Sequence, residues 1–126
     1  METKRKKMRI IQSRTEFTGY DVSKLLKETS RIRDLITKRG TLEILMPLCC
    51  TTKPVRHKEF KRNLKGLSSK TLAARLSELV SENILERQTF AEIPPRVEYR
   101  LTGKGQELIV SVGNLLEWMQ KWSKKK

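Results

Sequence analysis

The chain has 126 residues and carries 28 lysines and arginines against 14 aspartates and glutamates, a formal net charge of +14. This length predicts one domain with one modest core. The apolar runs fall short of the ~20 residues that a membrane span needs, the start lacks a signal-peptide pattern, and two adjacent cysteines make no secreted disulfide framework. We therefore expect a cytoplasmic protein with a polyanionic partner and no membrane contact.

The positive charge is concentrated in three places. A basic arm occupies residues 1–19, a lysine tail occupies residues 124–126, and residues 20–123 have the patterning of a folded domain. Both ends are open to two interpretations, as solubilising tails or as auxiliary contacts. Inside the domain, the segment from Lys53 to Lys70 contains seven basic residues and one acidic residue, Glu59. The basic residues are Lys53, Arg56, Lys58, Lys61, Arg62, Lys65 and Lys70. A basic cluster inside a folded segment favours contact with nucleic acid.

The domain begins with two predicted helices. Asp21 is a candidate N-cap for a first helix, and Gly40 is its stop signal. A second helix starts at Thr41, and Pro47 should kink it or end it early because proline removes a backbone hydrogen bond. A loop is expected at residues 51–54.

Two further helices follow. A third is expected from about Arg56 to Leu64, and a tight turn at residues 65–67 joins it to a fourth that Ser68 caps. Asn83 is a candidate left-handed residue after the fourth helix. That helix has one apolar stripe, formed by Leu72, Leu76, Leu79 and Val80.

The remainder predicts a β-hairpin and a long helix. Residues 84–90 and 97–101 have strand character, and prolines between them belong at the hairpin tip, where no ladder hydrogen bond is lost. Thr102 is expected to cap the last helix.

This order of elements is that of a winged helix-turn-helix, so we predict a mainly α fold with a small β-hairpin wing. A helix fits the major groove of B-DNA, and a helix-turn-helix presents its second helix there. The predicted recognition helix runs from about Ser68 to Glu82. The expected DNA contacts on it and its approach are Lys58, Lys61, Arg62, Ser68, Ser69, Lys70, Thr71, Ala74 and Arg75.

The role of Arg75 has three possible interpretations. Its forked guanidinium suits bidentate readout of guanine. A phosphate contact, or an intrahelical pair with Glu78 or Glu82, would leave the base edges untouched.

The wing, about Ile84 to Leu101, offers Arg87 and Arg96 as DNA contacts. Arg96 stands at the proline tip, where it either reaches the minor groove or is a solvated turn residue. Arg87 is also a candidate partner for Glu98 across the hairpin.

Two runs of sequence resemble the HxlR-type winged helix-turn-helix transcription regulators. They are the stretch from Phe60 to Leu79, continued by Ile84-Leu85-Glu86-Arg87, and the wing run with Pro-Pro-Arg-Val-Glu-Tyr within residues 92–102. The resemblance covers about Asp34 to Trp122. It implies a homodimeric DNA-binding regulator whose N- and C-terminal helices make the dimer, whose Ser68 helix enters the major groove and whose hairpin flanks it. The chain departs from the family at Lys27, where many members carry a sensing cysteine.

The last helix has more apolar surface than one intrachain stripe requires, which favours burial against a second copy. The alternative is a single intrachain core with Trp118 partly exposed. A two-fold dimer would present its recognition helices to half-sites about 34 Å apart on a palindromic operator. The expected interface is Leu108, Val112, Leu115, Met119 and Trp122, and the resemblance adds Leu25 and Leu26.

Other chemistry has little support in the sequence. Cys49 and Cys50 close an apolar helix and are expected to pack in the core, and His57 is expected to be solvated or to fill a core edge. No metal site, cofactor motif or catalytic constellation is present, so we expect neither metal nor cofactor and no enzyme activity.

Two functions therefore remain in view. The preferred one is a sequence-specific, homodimeric regulator of transcription that binds double-stranded DNA and associates with the nucleoid. The alternative is a sequence-tolerant, basic architectural protein associated with DNA or RNA. The ratio of specific to non-specific affinity distinguishes them.

Overall fold

A computed structural model describes residues 21–123 of the chain. The basic arm predicted at residues 1–19 and the tail predicted at residues 124–126 lie outside the described residues. The chain divides into two compact units after Asp34. Every helix in the described range is too short or too polar to span a bilayer.

The N-terminal unit contains helix α1, Val22–Glu28, and the start of helix α2, Ser30–Thr37. Asp21 caps α1 as predicted, because its Oδ1 accepts a hydrogen bond at 3.0 Å from the backbone N–H three residues on. The single helix predicted over this stretch is wrong, since the chain leaves the helical path at Thr29. The Thr29 hydroxyl donates to the Leu25 carbonyl at 2.9 Å, and such a side-chain bond competes with the helical ladder.

The second unit begins at Leu35, and within it Gly40 has a φ of 96°, in the left-handed region that favours glycine. Helix α3, Thr41–Leu45, follows directly. Pro47 ends this helix early, as predicted, and the chain continues as a 3₁₀ helix over Met46–Cys50. Thr41 is buried, and its hydroxyl donates to the carbonyl of Leu35 at 2.7 Å, which ties α3 to the end of α2.

The two cysteines do not lie where the sequence predicted. Leu48 is buried, but Cys49 and Cys50 are exposed rather than packed in the core. A 3₁₀ helix has three residues per turn, so the two residues after a buried one point away from the core. Within residues 21–123, no three side chains of His, Cys, Asp or Glu are grouped to hold a metal ion.

Helices α4, His57–Asn63, and α5, Ser69–Ser81, form the helix-turn-helix. Ser68 caps α5 as predicted, with its Oγ accepting from the Thr71 N–H at 3.0 Å. Asn83 has a φ of 64° and ends the segment in the predicted left-handed conformation. The predicted stripe of α5 faces the core, where Leu72, Leu76 and Leu79 are almost fully buried.

The wing is a three-stranded antiparallel sheet with the strand order β1-β3-β2. Strands β2, Leu85–Phe90, and β3, Arg96–Leu101, form the predicted hairpin. The sequence missed β1, Val55–Arg56, which pairs with the outer edge of β3. A two-residue strand is too short to show alternation, and its pairing depends on a strand some 40 residues further along the chain. As a result, α4 begins one residue later than predicted.

Helix α6, Gly103–Ser123, leaves the foot of the hairpin. Thr102 caps it as predicted, since its Oγ1 accepts from the Gly105 N–H at 3.0 Å. Ile109 and Val112 bury the inner face of α6 against the rest of the second unit. The architecture is therefore mainly α with a small antiparallel wing, which confirms the predicted fold class.

Candidate nucleic-acid interface

The N-terminal half of α5 presents a polar, exposed face. Ser69, Lys70 and Ala74 are exposed, on the side of the helix away from its buried leucines. The Ser68 hydroxyl is occupied locally, because it donates to Thr71 Oγ1 at 3.0 Å as well as accepting from the Thr71 backbone. Ser69 and Lys70 are consequently the first side chains that a ligand approaching this helix would meet.

Helix α4 adds positive charge beside this face. Lys58, Lys61 and Arg62 are all exposed. None of the three takes part in an ion pair with the residues that the structure describes. A short turn closed by the Leu67 N–H and the Leu64 carbonyl, 3.0 Å apart, joins α4 to α5. The two helices thus carry uncompensated cations on adjacent surfaces.

The pKa of His57 also reflects the positive charge of this region. Its ring is partly buried, with its centroid 6.2 Å from that of Tyr99 on β3. Burial lowers the pKa of His57 below its ordinary value, and the positive charges of Lys61 on α4 and Arg87 on β2 lower it further. Arg87, a predicted wing contact, therefore adds to the positive potential around the base of the wing.

Arg75 makes the intrahelical pair that the sequence left open. Its Nη1 forms an ion pair with Glu78, and its Nε donates to the Arg39 carbonyl at 2.8 Å. Only 18% of its side chain is exposed. The structure thus holds the guanidinium against the turn before α3, away from the exposed face of α5. Contact between Arg75 and a base stays a prediction.

Lys38 also joins the pair of Arg75 and Glu78, and the sequence did not predict this contact. Lys38 Nζ lies 2.5 Å from the second carboxylate oxygen of Glu78, so that one carboxylate bridges two cations. The hydrogen bond from Lys38 and the weaker contribution of Arg75 lower the pKa of Glu78. Lys38 stands 40 positions from Glu78, beyond any helical spacing that a sequence pattern could reveal.

The Glu78 bridge predicts a pH-dependent contribution to stability. A depressed carboxyl pKa stabilises the fold above the ordinary value of 4.5 and loses that effect as pH falls through the lower, folded-state value. Because these side chains are partly exposed, we expect Glu78→Gln to cost only about 0.5 kcal/mol at pH 7 and less at pH 3. Urea unfolding at both pH values measures this, with Glu43→Gln on α3 as the control. An equal cost at both pH values would contradict the bridge.

Arg96 at the wing is folded back onto the hairpin. Its guanidinium carbon lies 4.0 Å above the centroid of the Phe90 ring. Its side chain is 3.2 Å from Glu92 and 3.4 Å from Glu98, measured between nitrogen and carboxylate oxygen. The predicted Arg87–Glu98 pair is wrong, because Glu98 faces Gln88 in the sheet register and its carboxylate contacts the side chain of Arg96.

Helix α6 carries an apolar stripe on its outer side. Leu115, Trp118, Met119 and Trp122 are each about half exposed. Leu108 is partly buried, and Val112, which the sequence assigned to the partner-facing stripe, lies in the chain's own core. The cause is position along the helix, because Val112 lies almost in line with Met119 at 100° per residue, but the buried residues of α6, Gly105, Ile109 and Val112, all lie in its first half. In the N-terminal unit, Leu25 and Leu26 are exposed on α1.

Comparison with known proteins identifies the family that shares this architecture. A family model described as HxlR-like helix-turn-helix matches residues 35–126. YvaP of Bacillus subtilis, an uncharacterized HTH-type transcriptional regulator, is 34% identical over 89 residues, which cover 71% of this chain and 81% of YvaP. BH0655 of Halalkalibacterium halodurans, with the same description, is 35% identical over 75 residues. That match covers 60% of this chain and 66%, just under two thirds, of BH0655.

A solved structure agrees with the sequence comparisons. The reduced form of the transcriptional regulator YodB from B. subtilis is similar over 79% of this chain and 95% of its own, with a TM-score of 0.67 and 31% identity. The family match spans the helix-turn-helix, the wing and α6. These findings confirm the resemblance first seen in residues 60–102. The chain therefore belongs to the HxlR-like helix-turn-helix family.

Proposed function

We propose that this protein is a sequence-specific regulator that binds a palindromic DNA operator as a homodimer. The observation that carries the proposal is the exposed N-terminal half of α5, flanked by the unpaired cations of α4. A helix N-terminus favours phosphate through its free N–H groups and its dipole. In the proposed complex, α5 enters the major groove and the wing flanks it.

The side chains on this surface make two kinds of contact in the proposed complex, with phosphates and with base edges. Lys58, Lys61 and Arg62 lie on the helix that crosses the backbone, so they contact phosphates and fix the register. Ser69 and Ala74 face the base edges, where the methyl group of Ala74 suits thymine. Lys70, in the first turn of α5, contacts phosphate at the edge of the groove. In this arrangement Arg75 acts indirectly, because its hydrogen bond to the Arg39 carbonyl holds the turn before α3.

Lys70→Ala tests the position of α5. If Lys70 lies at the phosphate edge of the groove, its removal weakens binding to all duplexes about equally and reduces the slope of log K against log salt by about 1. Fluorescence anisotropy over a salt series measures both effects. The matched control is Lys104→Ala, since Lys104 donates to the Glu82 carbonyl at the other end of the 13-residue α5, about 20 Å away. An equal effect of both variants would contradict the proposed docking.

Selection from a random duplex pool tests specificity. A regulator is expected to enrich a two-fold symmetric site and to prefer it by about 10³ or more over unrelated duplex. Footprinting should then show two protected half-sites one helical turn apart. A pool that yields no consensus would favour the architectural alternative instead.

A further inference from the structure

The two cysteines form an exposed dithiol that the proposed function does not use. The Sγ atoms of Cys49 and Cys50 lie 3.2 Å apart at the end of the 3₁₀ helix, and both residues are exposed. They are the only cysteines in the 126-residue chain. Every thiol of the protein is therefore in this one pair.

The spacing of the two sulfurs does not favour a disulfide. Adjacent residues hold their Cα atoms about 3.8 Å apart across a trans peptide bond, which is shorter than the usual ~4.4–6.8 Å of a disulfide. A disulfide would also require the sulfurs to approach to about 2.05 Å. The pair is better suited to holding an atom between its sulfurs than to bonding sulfur to sulfur.

The same spacing lies closer to that of a pyramidal centre than to that of a tetrahedral one. If each bond to sulfur is about 2.3 Å long, as in zinc thiolates, a tetrahedral centre needs sulfurs about 3.8 Å apart. A pyramidal centre with bond angles near a right angle needs only about 3.2 Å at the same bond length. Trivalent arsenic has that geometry, because its lone pair compresses the angles between its three bonds.

The surroundings of the pair suit an apolar substituent on that atom. Cys49, but not Cys50, lines a groove of about 440 Å³. Its apolar side is formed by Leu48, Leu101, Ile109 and Val110, and the rest of its lining is polar: Thr51, Thr52, Lys53, Arg100 and Gln106. Val110 is 64% exposed on α6. At 100° per residue, it lies about 80° from Trp118 and about 120° from Trp122 around α6.

We propose that Cys49 and Cys50 form a bidentate site for trivalent organoarsenicals, with the organic group lying in the groove beside α6. Two S–H bonds and the two As–OH bonds of a hydrated arsenoxide break, two As–S bonds form, and two water molecules leave. Arsenic remains trivalent, so the step needs neither oxidant nor reductant.

The ionisation of the pair is consistent with this condensation. The contact with Cys50 raises the pKa of the Cys49 thiol, with a smaller contribution from burial. A protonated thiol is a poor nucleophile toward peroxides and a poor ligand for metals that require thiolate. Condensation with an arsenoxide releases the thiol protons in water and needs no preformed thiolate pair.

Phenylarsine oxide is the probe that tests the site. We expect one phenylarsenic group per chain by intact-mass spectrometry, with the loss of both thiols toward Ellman's reagent. Cys49→Ser and Cys50→Ser should each weaken binding at least about 100-fold, because a single thiol lacks the second, intramolecular bond. Both positions are exposed, and circular dichroism checks that the variants fold.

Three results would overturn the proposal. The wild-type chain could keep both thiols reactive in excess phenylarsine oxide. A single-cysteine variant could bind as tightly as the wild type. Equimolar Zn²⁺ could protect the thiols as well as the arsenical does, which would remove the geometric basis for selectivity.

Discussion

Gly105→Ala is expected to destabilise the second unit by about 3 kcal/mol, the upper part of the range for overpacking a tight site. A Cβ built on Gly105 falls far inside contact distance of the Ile84 carbonyl oxygen and 3.0 Å from Leu101 Cδ2. The carbonyl belongs to the backbone, so it has no rotamer through which to move away. Urea unfolding at one fixed protein concentration measures the change in the free energy of unfolding.

The cost is high because that carbonyl also holds the foot of the wing. The oxygen of Ile84 accepts from the Thr102 N–H at 3.0 Å and from the Thr102 hydroxyl at 3.2 Å. A shift of Ile84 would loosen the residue that caps α6, so strain at one glycine reaches both the hairpin and the helix.

Gly103→Ala is the matched control for this prediction. Gly103 lies two residues earlier in the same helix, and a Cβ there meets nothing within 4 Å. Alanine at this position is expected to be neutral or to stabilise by a few tenths of a kcal/mol, since it restricts the unfolded chain. If both variants lost the same stability, the Ile84 contact would not be responsible, because alanine favours a helix more than glycine does at either position.

Features that depend on neighbours in the chain could be predicted from the sequence. The caps at Asp21, Ser68 and Thr102 each involve a backbone N–H three residues on, so the residue types suffice to identify them. The left-handed Asn83 and the early helix end at Pro47 are local in the same sense. The apolar stripe of α5 followed from a period that needs no tertiary knowledge.

The remaining features depend on residues far apart in the sequence. Strand β1 exists because Val55 pairs with Tyr99. The orientation of Arg75 depends on the Arg39 carbonyl and, through Glu78, on Lys38. For the candidate nucleic-acid interface, the recognition helix and its exposed residue types could be predicted from the sequence. Which of its cations form ion pairs within the fold could not be predicted.

Trp118→Glu is expected to separate the proposed dimer into monomers. In the proposed assembly the exposed stripe of α6 is buried against a second copy, and Trp118, 59% exposed, is its largest central side chain. A buried aromatic anchor contributes about 2–4 kcal/mol to an interface, and an unpaired carboxylate at that place adds a desolvation cost. We expect the dimer dissociation constant to rise at least about 100-fold. Sedimentation velocity at micromolar concentration should then show a 14.7 kDa species.

The same variant should lose affinity for a palindromic operator without any change to α5. A monomer reaches only one half-site, so the second set of contacts no longer adds to binding. Val110→Glu is the control, because it places the same charge on another side of the same helix. A dimer that survives Trp118→Glu, or that Val110→Glu dissociates equally, would exclude this stripe as the interface. A wild-type chain that sediments at 14.7 kDa would exclude the dimer altogether.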